Sequence, residues 1–171
     1  MMNLHDTAYW HARAASLTIS GQAYIDGSYC NAADGATFAA HSPIDGRLLA
    51  NIAACGQADV DRAVAAARRS FEAGVWANLA PRERKARLLR LAALIEQDSE
   101  TLALLETLDM GKPIRDALSF DLPETARCYA WYGEAIDKQY DEIAPTGPMS
   151  WLRSRASLLA WWLPWCPGIT H

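Results

Sequence analysis

The sequence predicts an α/β domain in which short hairpins come first and amphipathic helices follow. Asp-Gly turn signals lie between β-forming residues at 26–27 and 45–46. From residue 59 onward, apolar residues recur with helical spacing in segments that glycine and proline separate. At 171 residues the chain is long enough for one domain with its own core. Strands followed by several amphipathic helices indicate an α/β or α+β domain.

The stretch AYIDGSY (23–29) predicts the first hairpin. Its Asp26-Gly27 pair suits a tight turn because glycine accepts the positive φ that such a turn demands. A second turn within PIDGR (43–47) leads into LLANIA (48–53), which we expect to be a strand.

Four helices are predicted after the hairpins, and a looser pattern over residues 3–18 predicts a short surface helix before them. The first of the four begins at an Asp59 cap and stops at Gly74. Pro81 suits the first turn of the second helix, where a missing N–H is tolerated. The apolar faces of these two helices are formed by Val60, Val64, Ala67 and Phe71, and by Leu88, Leu91, Ala92 and Ile95.

The third predicted helix covers residues 99–110 and ends at Gly111, with Pro113 preventing its continuation. Asp121 is predicted to cap a fourth helix that reaches about Lys138. We expect the aromatic residues of this helix to pack in the core; they are Tyr129, Trp131 and Tyr132.

The charge is unevenly distributed along a mildly acidic chain of net charge −4. Residues 149–171 contain two of the basic residues, Arg153 and Arg155, and no acidic one. This leaves 14 basic and 20 acidic side chains, a net charge of −6, in residues 1–148. An acidic body argues against nucleic acid as a partner, because phosphate binding needs clustered lysine and arginine.

The cysteines and histidines form no recognisable metal set. The four cysteines are far apart in sequence, no CxxC motif occurs, and the four histidines are scattered. We expect free thiols in a reducing cytosol. The first residues carry charges instead of a secretory apolar run, which also predicts the cytoplasm.

No active site can be assembled from the residue pattern alone. The glycines are isolated, so neither GxGxxG nor a P-loop is present, and no nucleophile motif occurs. The acidic pairs Asp59/Asp61 and Glu134/Asp137 are typical of a solvated helix face.

Several strings in order resemble the N-terminal part of the NAD(P)-dependent aldehyde dehydrogenases. They are YIDGSY, SPIDGRLLANIA, DVDRAVAAARRSFEAGVW, RKARLLRLAALIE, LALLETLDMGKPI and YAWYGEAIDK. The resemblance covers about residues 4–148 and is greatest to the γ-glutamyl-γ-aminobutyraldehyde dehydrogenases of putrescine breakdown. It implies an incomplete fold: early hairpins plus helices of a Rossmann-like coenzyme domain.

The resemblance also implies a chemistry. Family members are longer homo-oligomers that oxidise an aldehyde to a carboxylate with NAD or NADP. A cysteine thiolate forms a thioester, a glutamate activates water, and the asparagine of a P-W-N-[FY]-P motif holds the oxyanion. None of the four cysteines here matches the nucleophile, so we assign no catalytic or cofactor-binding residue and expect no tight binding of NAD or NADP.

Three residues are carried over from the family. Some members bind a structural monovalent cation at positions that correspond to Asp109 and the backbone carbonyl of about Ala40. In some relatives the start of the DLPETAR helix lines the substrate entrance, which makes Glu124 a candidate. Asp109 as a plain helix-end residue and Glu124 as a first-turn carboxylate are the alternatives.

The last 23 residues depart from the family pattern and allow three hypotheses. A membrane anchor is disfavoured because Pro164 and Pro167 interrupt an apolar run shorter than the roughly 20 residues that a span needs. A tryptophan-rich segment that binds a partner or a membrane surface is the second. The third is that residues 149–171 are the family's next segment translated in a shifted frame.

The genetic code favours the third hypothesis. Tryptophan has one codon, TGG, so Trp161-Trp162 read one base out of step must give GTG, valine, and Trp165-Cys166 must do the same. Residues 166–171 then allow P-W-N-Y-P to follow. We therefore predict two parts, a body of residues 1–148 and an out-of-frame tail of residues 149–171.

The sequence thus predicts a truncated aldehyde dehydrogenase that is inactive and poorly soluble on its own. Its missing domains would leave apolar faces uncovered. A small non-enzymatic protein with a tryptophan-rich binding tail is the alternative.

Overall fold

The computed structural model describes residues 5–145 and 152–154. Helix α1 (Thr7–Ser16) precedes four strands, β1 (Ala23–Ile25), β2 (Ser28–Cys30), β3 (Thr37–His41) and β4 (Leu48–Ala53). The helices that follow are α2 (Gln57–Glu72), α3 (Pro81–Gln97), α4 (Ser99–Met110), α5 (Ile114–Asp116) and α6 (Leu122–Ala135). A π-helical turn (Ala117–Asp121) joins α5 to α6, a 3-10 turn (Ile136–Lys138) extends α6, and β5 (Glu142–Ala144) and β6 (Leu152–Ser154) come last.

The strands form three separate antiparallel pairs, β1–β2, β3–β4 and β5–β6. Asp26 and Gly27 both have positive φ, 53° and 79°, as a two-residue hairpin turn of the predicted kind requires. The predicted strand over 48–53 is also confirmed. Its partner β3 was not predicted. The described residues contain no parallel pair of strands. They confirm the hairpins and the helices of the predicted α/β domain.

Most helix boundaries agree with the sequence prediction. The third predicted helix is α4 with the same bounds, and Gly111 ends it with φ 74° and donates its N–H to the Thr107 carbonyl at 2.9 Å. Helix α3 begins at Pro81 as expected. The helix expected over 3–18 is shorter, because Asp6 caps α1 by accepting the Tyr9 N–H at 2.8 Å.

Two predicted N-caps are wrong. Helix α2 begins two residues before Asp59, whose carboxylate reaches back to accept the Gly56 N–H at 3.0 Å. Asp121 has helical backbone angles and makes no cap bond, because the π-helical turn runs directly into α6. Its carboxylate pairs with the Lys112 ammonium.

The core lies where α1, α4 and the start of α6 meet. Its buried members are Trp10, Ala103, Leu104, Leu108, Ala117, Leu118 and Leu122. The side chain of Ile19, in the segment after α1, and that of Leu49 in β4 pack against this cluster. Helix α1 is therefore part of the domain, and β4 of the second hairpin packs against the same core.

The aromatic residues of α6 are not in the core, contrary to the prediction. Tyr129, Trp131 and Tyr132 are 37%, 64% and 59% exposed. The buried residues of α6 include the small residues Ala126 and Gly133. A β-carbon at buried Gly133 would lie 3.2 Å from the Leu88 β-carbon of α3. This close approach of the two helices leaves no room between them for large rings.

The predicted tail falls mostly outside the described residues. Within it, β6 pairs with β5 through Ile143 opposite Arg153 and Ala144 opposite Leu152. Backbone pairing of this kind depends little on side-chain identity, so it does not decide between reading frames. Among residues 5–145 and 152–154, no helix has the length and apolar character needed to cross a membrane.

Candidate functional site

Two turns that are distant in sequence meet at the end of α4. Gly111 lies so close to the turn after β3 that an added β-carbon would be 3.2 Å from Pro43 Cγ. That turn is held by hydrogen bonds from the Ser42 N–H to the Arg47 carbonyl at 2.9 Å and from the Gly46 N–H to the Ser42 carbonyl at 2.8 Å. The last residues of α4 are thereby placed against the end of the β3–β4 hairpin.

The hairpin is irregular at this point. Ala40 pairs with Ala50, but the next residue, His41, pairs with Leu48, so the register shifts between them. Such a bulge bends the strand and re-aims its main-chain groups. The position predicted to offer a carbonyl to a cation is therefore at a break in the ladder.

Ala40 and Asp109 line one cavity of about 520 Å³, which we call the Asp109 cavity. Its apolar wall is formed by Ile19, Ala40, Leu49, Ala50, Ile52, Ile95, Leu102, Leu105, Met110 and Leu122. Its polar wall is formed by Ser20, Glu106, Asp109 and Thr125. No lysine, arginine or histidine is among these lining residues. The cavity is therefore mainly apolar, with an acidic edge.

Four side chains that carry oxygen atoms line the Asp109 cavity. Glu106 and Asp109 are three residues apart on one face of α4, and the hydroxyls of Ser20 and Thr125 add oxygen atoms. Ala40 offers only its main-chain carbonyl. The described residues contain no group of three or more His, Cys, Asp or Glu side chains arranged to hold a metal. Carboxylate, hydroxyl and carbonyl oxygens are the kind of ligands that hard cations prefer.

Glu106 is the member of this site that sequence reasoning missed. The signal was present, because its three-residue spacing from Asp109 places both carboxylates on one helix face. Glu124 does not line the Asp109 cavity, although its neighbours Leu122 and Thr125 do. It lies in the first turn of α6 and pairs with Arg127 at 2.9 Å. Ala40 and Asp109 thus line the same cavity, and Glu124 does not.

Asp59 is a buried structural carboxylate, which corrects the prediction of a solvated face. Its side chain is 2% exposed and accepts the Ala33 N–H at 3.1 Å and the Arg62 guanidinium at 2.6 Å. These bonds, with that from the Gly56 N–H, keep the pKa of the Asp59 carboxyl below its ordinary value. Both oxygens of this carboxylate accept hydrogen bonds within the fold, so Asp59 is not available as a general acid or base.

Three of the four cysteines lie among the described residues. Cys30, Cys55 and Cys128 are free thiols, and partial desolvation raises the pKa of the Cys55 thiol. A single glycine, Gly56, stands between β4 and α2.

Comparison with known proteins assigns the family. The model of the aldehyde dehydrogenase family matches residues 29–158. The NADP/NAD-dependent aldehyde dehydrogenase PuuC of Escherichia coli K12 is 46% identical over 167 residues, which are 96% of this chain and 34% of PuuC. The aminoacetaldehyde dehydrogenase of Pseudomonas aeruginosa is 45% identical over 168 residues. The chain spans about a third of the length of these relatives, and the matches extend past residue 148.

Solved structures agree in fold. The γ-glutamyl-γ-aminobutyraldehyde dehydrogenase of Burkholderia cenocepacia J2315 is 57% identical, with a TM-score of 0.79 over 81% of this chain and 28% of that one. An indole-3-acetaldehyde dehydrogenase of P. syringae, solved with NAD+ and IAA, is 56% identical with a TM-score of 0.80 over 82% of this chain and 28% of that one. The family match, the sequence identity and the shared fold lead to one conclusion: this chain belongs to the aldehyde dehydrogenase family.

Proposed function

We propose that this chain supplies the N-terminal region of an NAD(P)-dependent aldehyde dehydrogenase. The observation that carries the proposal is the 57% identity and shared fold with a γ-glutamyl-γ-aminobutyraldehyde dehydrogenase. The substrate class that this supports is an aldehyde derived from putrescine. In this proposal the described residues serve as a folded support for the rest of that enzyme. Bound NAD(P) would accept the hydride in the complete enzyme.

A chimera tests this function. Residues 1–148 are joined to the part of the Burkholderia enzyme that follows the matched region. NADH or NADPH formation with γ-glutamyl-γ-aminobutyraldehyde is then measured for the chimera, for the 171-residue chain and for the Burkholderia part alone. We expect activity from the chimera and none from either part, because only the chimera holds both the N-terminal region and the catalytic residues. A chimera that folds by circular dichroism but forms no NADH or NADPH contradicts the proposal.

We also propose that the reading frame is shifted from residue 149. The two valine codons forced by Trp161-Trp162 and Trp165-Cys166 support this. In the present frame, Pro164-Trp165 repeats only the P-W pair of the family motif. In the shifted frame, codons 165–171 allow the whole V-P-W-N-Y-P stretch.

A monovalent cation at Asp109 and the Ala40 carbonyl is proposed as a structural ion of the Asp109 cavity. We expect K+ to raise the unfolding temperature of the chain by about 2 °C relative to tetramethylammonium at equal ionic strength. Asp109→Asn should abolish the difference. Asp98→Asn, at the exposed start of α4, should keep it. Equal unfolding temperatures of the unmodified chain in the two salts would exclude the ion.

We also propose a cellular location and an oligomeric state, neither of which depends on particular residues. The family resemblance and the free thiols support a cytoplasmic location. The complete enzyme is proposed to be a homo-oligomer. Fractionation of cells, and light scattering on the chimera, test these two statements.

A further inference from the structure

Three turns of the chain carry an aspartate followed by a glycine: Asp26-Gly27, Asp34-Gly35 and Asp45-Gly46. In such a pair the glycine main-chain nitrogen can attack the carboxyl carbon of the aspartate side chain, because glycine has no side chain to obstruct the approach. All three aspartates are exposed, so exposure alone does not rank them. The turns differ in how each nitrogen and each carboxylate is held.

The attacking nitrogen is hydrogen-bonded in two of the turns. The Gly35 N–H donates to the Ala32 carbonyl at 2.9 Å, and the Gly46 N–H donates to the Ser42 carbonyl at 2.8 Å. Among residues 5–145 and 152–154, the Gly27 N–H meets no acceptor. A two-residue hairpin turn has this property because its main-chain bond joins the residues that flank the central pair. The Gly27 nitrogen therefore needs no hydrogen bond broken before it reacts.

The three carboxylates are also held differently. The Asp34 and Asp45 side chains each accept the main-chain N–H of the residue two positions on, at 2.9 and 3.1 Å. Such bonds fix a side chain within its own turn. In the described part of the chain, the Asp26 carboxylate is held by the Arg69 guanidinium of α2 at 2.8 Å, and these two side chains are 65% and 61% exposed. An ion pair this exposed holds its carboxylate weakly.

The backbone of the first turn favours its opening. Asp26 has a φ of 53° and is the one non-glycine residue with positive φ in the part of the chain that the structure describes. A β-carbon makes that conformation unfavourable. The hairpin has three residues in each of β1 and β2, and a two-stranded hairpin of this length adds little stability of its own. Opening of the turn therefore relieves strain and lets the Asp26 side chain approach the Gly27 nitrogen.

We propose that Asp26 is a site of spontaneous modification, at which the chain forms isoaspartate before it does so at Asp34 or Asp45, and that the ion pair with Arg69 slows this reaction. The Gly27 nitrogen bonds to Cγ of the protonated Asp26 carboxyl and loses its proton, which leaves with the hydroxyl group as water. The product is a five-membered succinimide. Water then adds to the former main-chain carbonyl carbon of Asp26, and the bond from that carbon to nitrogen breaks. The main chain now runs through Cγ, and the α-carboxylate is free.

The modified turn no longer fits the hairpin. Its main chain is one carbon longer, which disturbs the pairing of Ile25 with Ser28 across the turn. The Asp26 side-chain carboxylate that accepts from Arg69 becomes part of a peptide bond. The modification therefore loosens the β1–β2 hairpin from α2.

The test is ageing of the purified 171-residue chain at neutral pH and physiological temperature. Isoaspartate is counted as methyl groups transferred from S-adenosylmethionine by an isoaspartate methyltransferase. It is located by electron-transfer fragmentation, which distinguishes β-linked from α-linked aspartate. We expect the β-linked form at Asp26 to exceed that at Asp34 and at Asp45 at least about threefold, because each of those two turns must first break a main-chain hydrogen bond. Asp26→Glu should remove most of the methyl acceptance, since a glutamate side chain would have to close a larger ring.

Matched arginine variants test the ion pair. Arg69→Gln removes the partner of the Asp26 carboxylate, and Arg115→Gln removes the partner of another exposed carboxylate, that of Asp116 in α5. We expect Arg69→Gln to speed isoaspartate formation at Asp26 about two- to fivefold. Arg115→Gln should leave the rate unchanged. The other two Asp-Gly turns report on folding in each variant, because a general loss of structure would speed the reaction at all three.

The outcomes that would overturn the proposal are equal rates at the three turns, a faster rate at Asp34 or Asp45, or no isoaspartate at any of them after ageing. An Arg69→Gln chain that reacts at Asp26 no faster than the parent chain would overturn the role given to the ion pair.

Discussion

Replacement of Gly21 by alanine is expected to lower the free energy of unfolding of the chain by about 3 kcal/mol. An ideal β-carbon at this position would lie 1.8 Å from the carbonyl oxygen of Asn51 and 2.7 Å from its carbonyl carbon. These are main-chain atoms of β4, so relief requires the strand to move. The Gly21 carbonyl also accepts the Ala53 N–H at 2.7 Å, and this bond would stretch as β4 moves away from Gly21.

The measurement is urea unfolding followed by far-UV circular dichroism. Gly56→Ala is the matched control, because a β-carbon there meets nothing within 4 Å and Gly56 has a negative φ of −94°. We expect the control to cost less than about 1 kcal/mol. Equal unfolding midpoints for the two variants would show that the segment after α1 does not pack against β4 as described.

Asp59→Asn is expected to lower the unfolding temperature at neutral pH by about 5 °C or more. The substitution keeps the shape of the side chain and removes its charge. It also turns an acceptor oxygen into a donor NH2 that must face the N–H groups of Ala33 and Gly56, or the Arg62 guanidinium. The buried NH2 group would have no acceptor beside it, so the hydrogen bonds of the carboxylate are lost and the desolvation of the NH2 group is not compensated.

The effect should depend on pH in a defined direction. The folded chain holds the pKa of Asp59 below its ordinary value, so its carboxylate stabilises the fold above the unfolded-state pKa. This stabilisation is lost as the pH falls through the folded-state pKa. The difference in unfolding temperature between the parent chain and Asp59→Asn should therefore narrow in acid. Asp61→Asn is the control, since Asp61 is exposed on the same helix and should give a small change.

The parts of the fold that could be predicted from sequence are those set by neighbouring residues. The Asp26-Gly27 turn and the end of α4 at Gly111 each require a positive φ, which glycine at these positions predicts. Helix α3 is signalled by Pro81 and by its own periodicity. The family was recognisable for the same reason, because it is identified by short stretches of sequence that occur in a fixed order along the chain.

The parts that could not be predicted depend on contacts across the chain. The burial of Asp59 comes from Ala33, 26 residues earlier, whose N–H binds the carboxylate. The exposure of the α6 aromatics follows from the approach of Gly133 to α3. The contact between Gly111 and Pro43 joins two turns that are far apart in the chain, and neither local sequence predicts it.

The nucleotide sequence from codon 140 to several hundred bases beyond codon 171 tests the proposal that residues 1–148 are the N-terminal region of an aldehyde dehydrogenase and that the frame shifts after them. We expect the frame one base out of step to read V-P-W-N-Y-P across codons 165–171. We also expect an aldehyde-dehydrogenase-like reading to continue beyond. A downstream sequence with no such reading in any frame would contradict the proposal.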